Sequence, residues 1–86
     1  MASYSILFTR SAAKELERVP TKDRPRIVSS IRALADNSRP VGAEKISGDD
    51  KYRIRQGDYR ILYEIVDAEL IVTIVRTGNR REVYRR

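Results

Sequence analysis

Apolar residues change their spacing twice along this chain. In "YSILF" they alternate, which puts Tyr4, Ile6 and Phe8 on one side of an extended segment, and the aromatic and β-branched content suits a strand. From Arg10 the spacing becomes helical. Ala12, Ala13, Leu16 and Val19 recur every three or four residues, Thr9 stands where an N-cap is needed, and Pro20 stops the run. "TKDRPRIVSSIRALADNSRP" predicts a second helix, capped by Thr21, with Pro25 in its first turn, Ile27, Val28, Ile31, Leu34 and Ala35 on one face, and an end near Asn37. A connection this short implies an antiparallel helix pair.

Alternation then returns. After a loop, "SRPVGAEKISGDD", with a short extended piece at 44–46, strand patterns run over 52–56, 59–66 and 69–76, separated by Gly57-Asp58 and Asp67-Ala68. The tail predicts a turn at Gly78-Asn79 and a brief extended segment from Glu82 to Tyr84. The fold class is therefore α+β. A small antiparallel sheet of three to four strands, plus the N-terminal strand, packs on an N-terminal helical hairpin in the order β-α-α-β-β-β, as a single domain over 1–86.

Register converts this pattern into a surface. A two-residue loop at Gly57-Asp58 sets Gln56 across from Tyr59, Arg55 from Arg60, Ile54 from Ile61 and Arg53 from Leu62, and facing residues project to the same side. Arg53, Arg55 and Arg60 thus share one face. Ile54, Ile61, Tyr63 and Ile65 take the other, in line with Leu70, Val72 and Ile74 if Asp67-Ala68 is also a two-residue loop. Arg55 opposite Arg60 is unfavourable by a few tenths of a kcal/mol, roughly the scale of any cross-strand pair. An anion relieves that repulsion, and the five-donor fork of arginine suits phosphate oxygens. Solvated arginines whose stems shield apolar surface are the plainer reading. The same face carries Leu62, Val66, Ile71 and Val75, enough apolar surface to expect a covering partner.

Charge sharpens the picture. The 86 residues carry 18 Lys+Arg against 12 Asp+Glu, a net charge of +6. Residues 1–50 hold nine basic and seven acidic side chains, and 51–86 hold nine and five, so the excess is C-terminal. Such a field attracts nucleic acid, an acidic protein or an anionic surface. Histidine is absent, which excludes imidazole proton transfer and, with Ser29-Ser30 in mid-helix, argues against serine nucleophile chemistry. Cysteine is also absent, so neither disulfides nor thiolate metal sites are available, and Asp49-Asp50 has no further ligand at metal spacing. No metal and no small-molecule cofactor are expected. With no signal-peptide pattern and no run of about 20 apolar residues, the expected location is the cytoplasm, away from membranes. Arg80 and Tyr84 add a cation and an aromatic ring able to stack on a base, though a basic tail is by itself commonly a frayed terminus.

The stretches "KISGDDKYRIRQGDYRILYEI" and "IVTIVRTGNRREVY" resemble the RelE branch of the RelE/ParE toxins of type II toxin–antitoxin systems, and the likeness spans nearly the whole chain. It implies a ribosome-dependent mRNA endoribonuclease that blocks translation, in which the ribose 2′-hydroxyl attacks the adjacent phosphate without metal. It further implies two partners, a cognate antitoxin and the ribosome with its mRNA. Carried over by position, Arg53, Arg55, Arg60, Arg80 and Tyr84 form the catalytic set, and Lys51, Arg53, Arg55, Arg81 and Arg85 bind RNA. Arg53 and Arg55 stand where well-known members have lysine. Arginine is a poor general base, so the group that takes the 2′ proton is left unassigned. Two other readings remain at this point: a ParE-like inhibitor of DNA gyrase, and a non-catalytic basic module that grips RNA or protein.

Overall fold

Five strands form one sheet in the order β1-β5-β4-β3-β2, where β1 is Ser5–Phe8, β2 Glu44–Lys45, β3 Lys51–Gln56, β4 Tyr59–Val66 and β5 Ile71–Asn79. Helices α1 (Arg10–Arg18) and α2 (Arg24–Ala33) cover one side, the expected α+β architecture. The structure is a computed structural model that describes residues 3–46 and 50–79. Strands β2 to β5 are antiparallel neighbours, but β1 lies parallel to β5, Ser5 opposite Ile71 and Phe8 opposite Ile74. The sheet is therefore mixed rather than purely antiparallel. Two parallel strands cannot be joined by a hairpin, and here the whole chain between them serves as the crossover.

Thr9 fixes the start of α1 and its seat on the sheet together. Its Oγ1 accepts a hydrogen bond from the Ala12 N–H at 3.1 Å and donates to the Val75 carbonyl of β5 at 3.2 Å. At the other end Val19 turns extended, as a residue before proline must, and Arg24 Nη2 donates to the carbonyls of Glu17 and Val19 at 3.0 Å each. Thr21 is not the cap of α2. A helix capped there would need an N–H from Pro25 to reach the Thr21 carbonyl, so the helix begins later, with Asp23 at the N-cap position and Pro25 in the first turn. The regular helix stops at Ala33. The N–H groups of Leu34, Ala35 and Asp36 then bond three residues back, a tighter turn that carries the chain to Asn37.

The first hairpin matches expectation. Gly57 has φ +60° and Asp58 does not share the positive φ, as in a turn with glycine at its first central position. Arg55 faces Arg60, Ile54 faces Ile61 and Arg53 faces Leu62. The second connection is longer than two residues. A 3-10 turn over Asp67–Glu69 is followed by Leu70 in the left-handed region at φ 54°, which leaves Leu70 exposed and outside the strand. Two added residues preserve side-chain parity, so Val72 and Ile74 stay on the helix side, opposite Ile65 and Tyr63.

A β-bulge interrupts this pairing. Tyr63 faces Ile74 but Leu62 faces Arg76, so Val75 is the extra residue. Unbulged, the strand would set Arg76 across from Ile61, in the core. The bulge instead delivers Thr77 there, fully buried, its hydroxyl donating to the Ala12 carbonyl at 2.9 Å. Glu15 of α1 grips both residues: Oε1 accepts the Thr77 N–H and Oε2 the Arg76 Nε, each at 2.9 Å. Gly78 and Asn79 are strand residues facing Arg60 and Tyr59, not the turn the tail predicted.

The core lies between helices and sheet, built from Ile27, Ile31, Leu34, Ile61, Ile65, Val72 and Ile74 around Tyr63. Tyr63 stacks on Tyr52 with ring centroids 5.9 Å apart and donates to the Ser38 carbonyl at 2.8 Å. Arg39 lies over the Tyr52 ring and forks onto Asp67 at 2.8 and 3.3 Å, and Tyr4 donates to Asp67 at 2.6 Å. This knot ties the start of β1, the loop after α2 and the β4–β5 connection. The Asp67 carboxyl is held below its ordinary range by Arg39 first and Tyr4 second.

Glu15→Ala, which strands the Thr77 N–H and Arg76 together, is expected to cost about 1–3 kcal/mol, read as a lower urea midpoint. Burial pushes the Tyr63 phenol up to about 12, against 10.0 in an unfolded chain. A raised acid stabilises the fold fully below the unfolded value and loses that contribution as pH climbs toward the folded one. Stability is therefore expected to fall between pH 10 and about 12, with one tyrosinate signal appearing only as the protein unfolds; Tyr63→Phe should remove that component.

Candidate functional site

Opposite the helices the sheet presents alternate residues of every strand. On β3 these are Lys51, Arg53 and Arg55, spaced about 7 Å apart by the two-residue repeat. On β4 they are Arg60, Leu62, Glu64 and Val66, and on β5 they include Ile71, Thr73 and Gly78. Arg53, Arg55 and Arg60 are thus brought to one face. The apolar strip beside them is less bare than expected: Leu62, Ile71 and Val75 are half-buried, and Val66 alone of the four is exposed.

The three arginines differ in surroundings. Lys51 pairs with Glu64 at 3.8 Å, both exposed. Arg53 is held by Glu44 of β2, which stands directly opposite it, with Nε donating to Oε1 at 3.1 Å and Nη2 to the same oxygen. Arg55 is exposed. Arg60 has only 5% of its surface accessible, and its buried Nε has no hydrogen-bond partner. Its neighbour on β5 is Gly78, which has no side chain to crowd the arginine stem. A buried guanidinium lacking a partner is costly, since both desolvation and the unmade hydrogen bond count against it. Facing Arg55, it is an electrostatic position that an anion would complete. The field extends further: the Glu44 carboxyl is held below the usual carboxylate range by Arg53 first, with Arg55 and Arg60 adding to it.

Arg80, Arg81, Tyr84 and Arg85 lie outside the described residues, as does the extended segment expected at Glu82 to Tyr84. Pattern reading missed three participants. Glu44 was placed in a short extended piece, but its pairing with Arg53 depends on the length of the intervening loop. Gly78 opposite Arg60 and the capture of Arg76 by Glu15 both follow from the bulge, whose only sequence signal is a charged residue interrupting an apolar strand. Among the described residues no three His, Cys, Asp or Glu side chains group together, and no helix is long and apolar enough to cross a membrane.

Two helices lie against one side of a mixed five-stranded sheet, with a guanidinium cluster on the other. The profile of the family described as the ParE toxin of the type II toxin–antitoxin system parDE matches residues 6–84. The chain is 34% identical over 91 residues to toxin RelG of Mycobacterium tuberculosis, covering 96% of this chain and 98% of that one. It is 28% identical over 87 residues to the mRNA interferase toxin RelE of Escherichia coli, covering 95% and 90%. Among solved structures, the RelB–RelE antitoxin–toxin complex of Methanococcus jannaschii matches with TM-score 0.70 and 31% identity, over 91% of this chain and 94% of that one. The chain belongs to the RelE/ParE toxin family of type II toxin–antitoxin systems, in its RelE branch.

Replacing Arg60 with an apolar side chain of similar length removes the unpartnered charge. Arg60→Met is expected to leave the isolated protein as stable or to stabilise it by about 1–4 kcal/mol, measured by urea denaturation. Marked destabilisation would mean that the guanidinium already contributes to the free fold.

Proposed function

We propose that the arginine face binds the mRNA phosphate backbone and that this toxin is a ribosome-dependent endoribonuclease. The observation that carries the reading is Arg60, buried, without a partner at Nε and set against Arg55 on the sheet side the helices leave open. Buried polar atoms without a partner are uncommon in native proteins, and among the described residues Arg60 Nε is the one that lies on the arginine face. A relative at 28% identity named an mRNA interferase points to the same substrate.

In this reading the RNA 2′-hydroxyl gives up its proton to solvent water and its oxygen attacks the neighbouring phosphorus. The bond from phosphorus to the 5′ oxygen breaks, leaving a 2′,3′-cyclic phosphate and a 5′-hydroxyl that takes up a proton. Arg60 and Arg80 stabilise the charge gathering on the phosphorus oxygens, the kind of preorganised electrostatics that is usually the largest catalytic contribution. Arg53 and Arg55 orient the phosphate, while Lys51, Arg81 and Arg85 follow the backbone on either side. Tyr84 stacks on a flanking base or gives the leaving oxygen its proton. No arginine accepts the 2′ proton, because the side chain stays charged at every relevant pH. With positioning as the missing factor, the ribosome holds the mRNA in line for attack and free RNA is a poor substrate. The proposed second partner is a cognate antitoxin, in keeping with the M. jannaschii relative solved as an antitoxin–toxin complex.

One observation favours a second reading: the matching family profile is described by the ParE toxin. Such a protein would poison DNA gyrase and leave message intact. Ribosome-programmed mRNA cleavage, mapped by new 5′ ends, and a gyrase supercoiling assay separate the two. Cleavage is expected, and Arg60→Ala or Arg80→Ala should each reduce it by about 100-fold or more. Cleavage unchanged in both variants, or gyrase inhibition without cleavage, would overturn the assignment.

A further inference from the structure

One carboxylate stands inside the guanidinium cluster. Glu44 belongs to a two-residue edge strand, its side chain is 60% exposed, and a single oxygen receives both Nε and Nη2 of Arg53. Beside it, between α2 and β3, runs a groove of about 590 Å³ whose walls include Arg53, Arg55, Ala33 and Val41. Glu44 therefore has open space next to it. A carboxylate offers a guanidinium the same kind of acceptor oxygens as a phosphate, so the two compete for the same donors. Among the described residues no carboxylate hydrogen-bonds to or ion-pairs with Arg55 or Arg60, so the competition is confined to Arg53.

We propose that Glu44 is a built-in competitor for the phosphate-binding face, occupying Arg53 in the free protein and giving it up when RNA binds. This rests on the reading of that face as an RNA-binding surface. An exposed ion pair is weak, typically below about 1 kcal/mol, and a phosphate that also engages Arg55 and Arg60 displaces it. A phosphate offered to Arg53 alone does not. Glu44 thereby sets which anions hold: RNA aligned along the whole cluster exchanges for the carboxylate, and isolated anions are turned away.

The test uses the full chain and a single-stranded 2′-O-methyl oligoribonucleotide, which cannot be cut, with anisotropy read at stepped salt concentrations. Glu44→Gln and Glu44→Ala are expected to bind about threefold tighter or more at low salt. Because Arg53 meets a phosphate in the wild-type complex too, their plots of log affinity against log salt should keep about the wild-type slope. Arg53→Gln should make the slope shallower by about 0.7, the increment for one phosphate contact on a single strand, and should abolish the gain from Glu44→Gln. Unchanged or weaker binding by both Glu44 variants, folded by circular dichroism, overturns the competitor role. If Arg55→Gln and Arg60→Gln weaken binding in that same experiment, the RNA-binding reading survives and only Glu44 has been misassigned. If neither weakens it, the face does not bind RNA and both ideas fall together.

Discussion

Side-chain parity along the central strand β4 is the constraint from which the rest of the molecule follows. Each residue of a strand is committed to one side, so Ile61, Tyr63 and Ile65 can enter the core only if Arg60, Leu62 and Glu64 leave it. Two devices hold that parity in place. On one flank the Gly57-Asp58 loop locks Arg55 against Arg60. On the other the bulge at Val75 shifts the last part of β5, so that Thr77 meets the core and Gly78 meets Arg60. Neither device works alone, because a one-residue slip on either flank would carry a guanidinium toward the helices. Glu15 and Thr9 secure the bulge from above, which makes α1 part of the site although it contributes no residue to it.

Charge and stability pull in opposite directions at this face. A fold optimised for stability would not seat a guanidinium among buried neighbours without a hydrogen-bond acceptor for its Nε. The core on the far side has the Tyr63 and Thr77 hydroxyls hydrogen-bonded, while Arg24 Nε at the start of α2 is, like Arg60 Nε, buried without a partner.

Much of this architecture could be read directly from residue order. The alternation around Gly57-Asp58 was enough to place three arginines together, because a two-residue loop leaves a single register. The helices were readable in position, and the start of α2 follows from Pro25 once its missing N–H is taken into account. What escaped were features decided by distant partners. The bulge answers to Glu15 and Thr9, more than sixty positions away, and the one local hint in "IVTIVRTGN", a charged residue among apolar ones, does not say where the extra residue falls. Leu70 continued an apolar alternation yet left the strand, because the turn before it needed a residue with positive φ. The Glu44–Arg53 pair joins an edge strand too short to have a period of its own.

The parallel seam between β1 and β5 has a consequence in time. Ser5 pairs with Ile71, and closing so long a loop is entropically expensive until the intervening chain is already ordered. On a translating ribosome Ser5–Phe8 emerges early and waits for a partner strand synthesised much later. The hairpins from β3 to β5 can form locally, but β1 joins the sheet only after β5 exists. A nascent chain of this protein therefore carries Leu7 and Phe8 without their partner strand until β5 has been made, and the sheet is completed late.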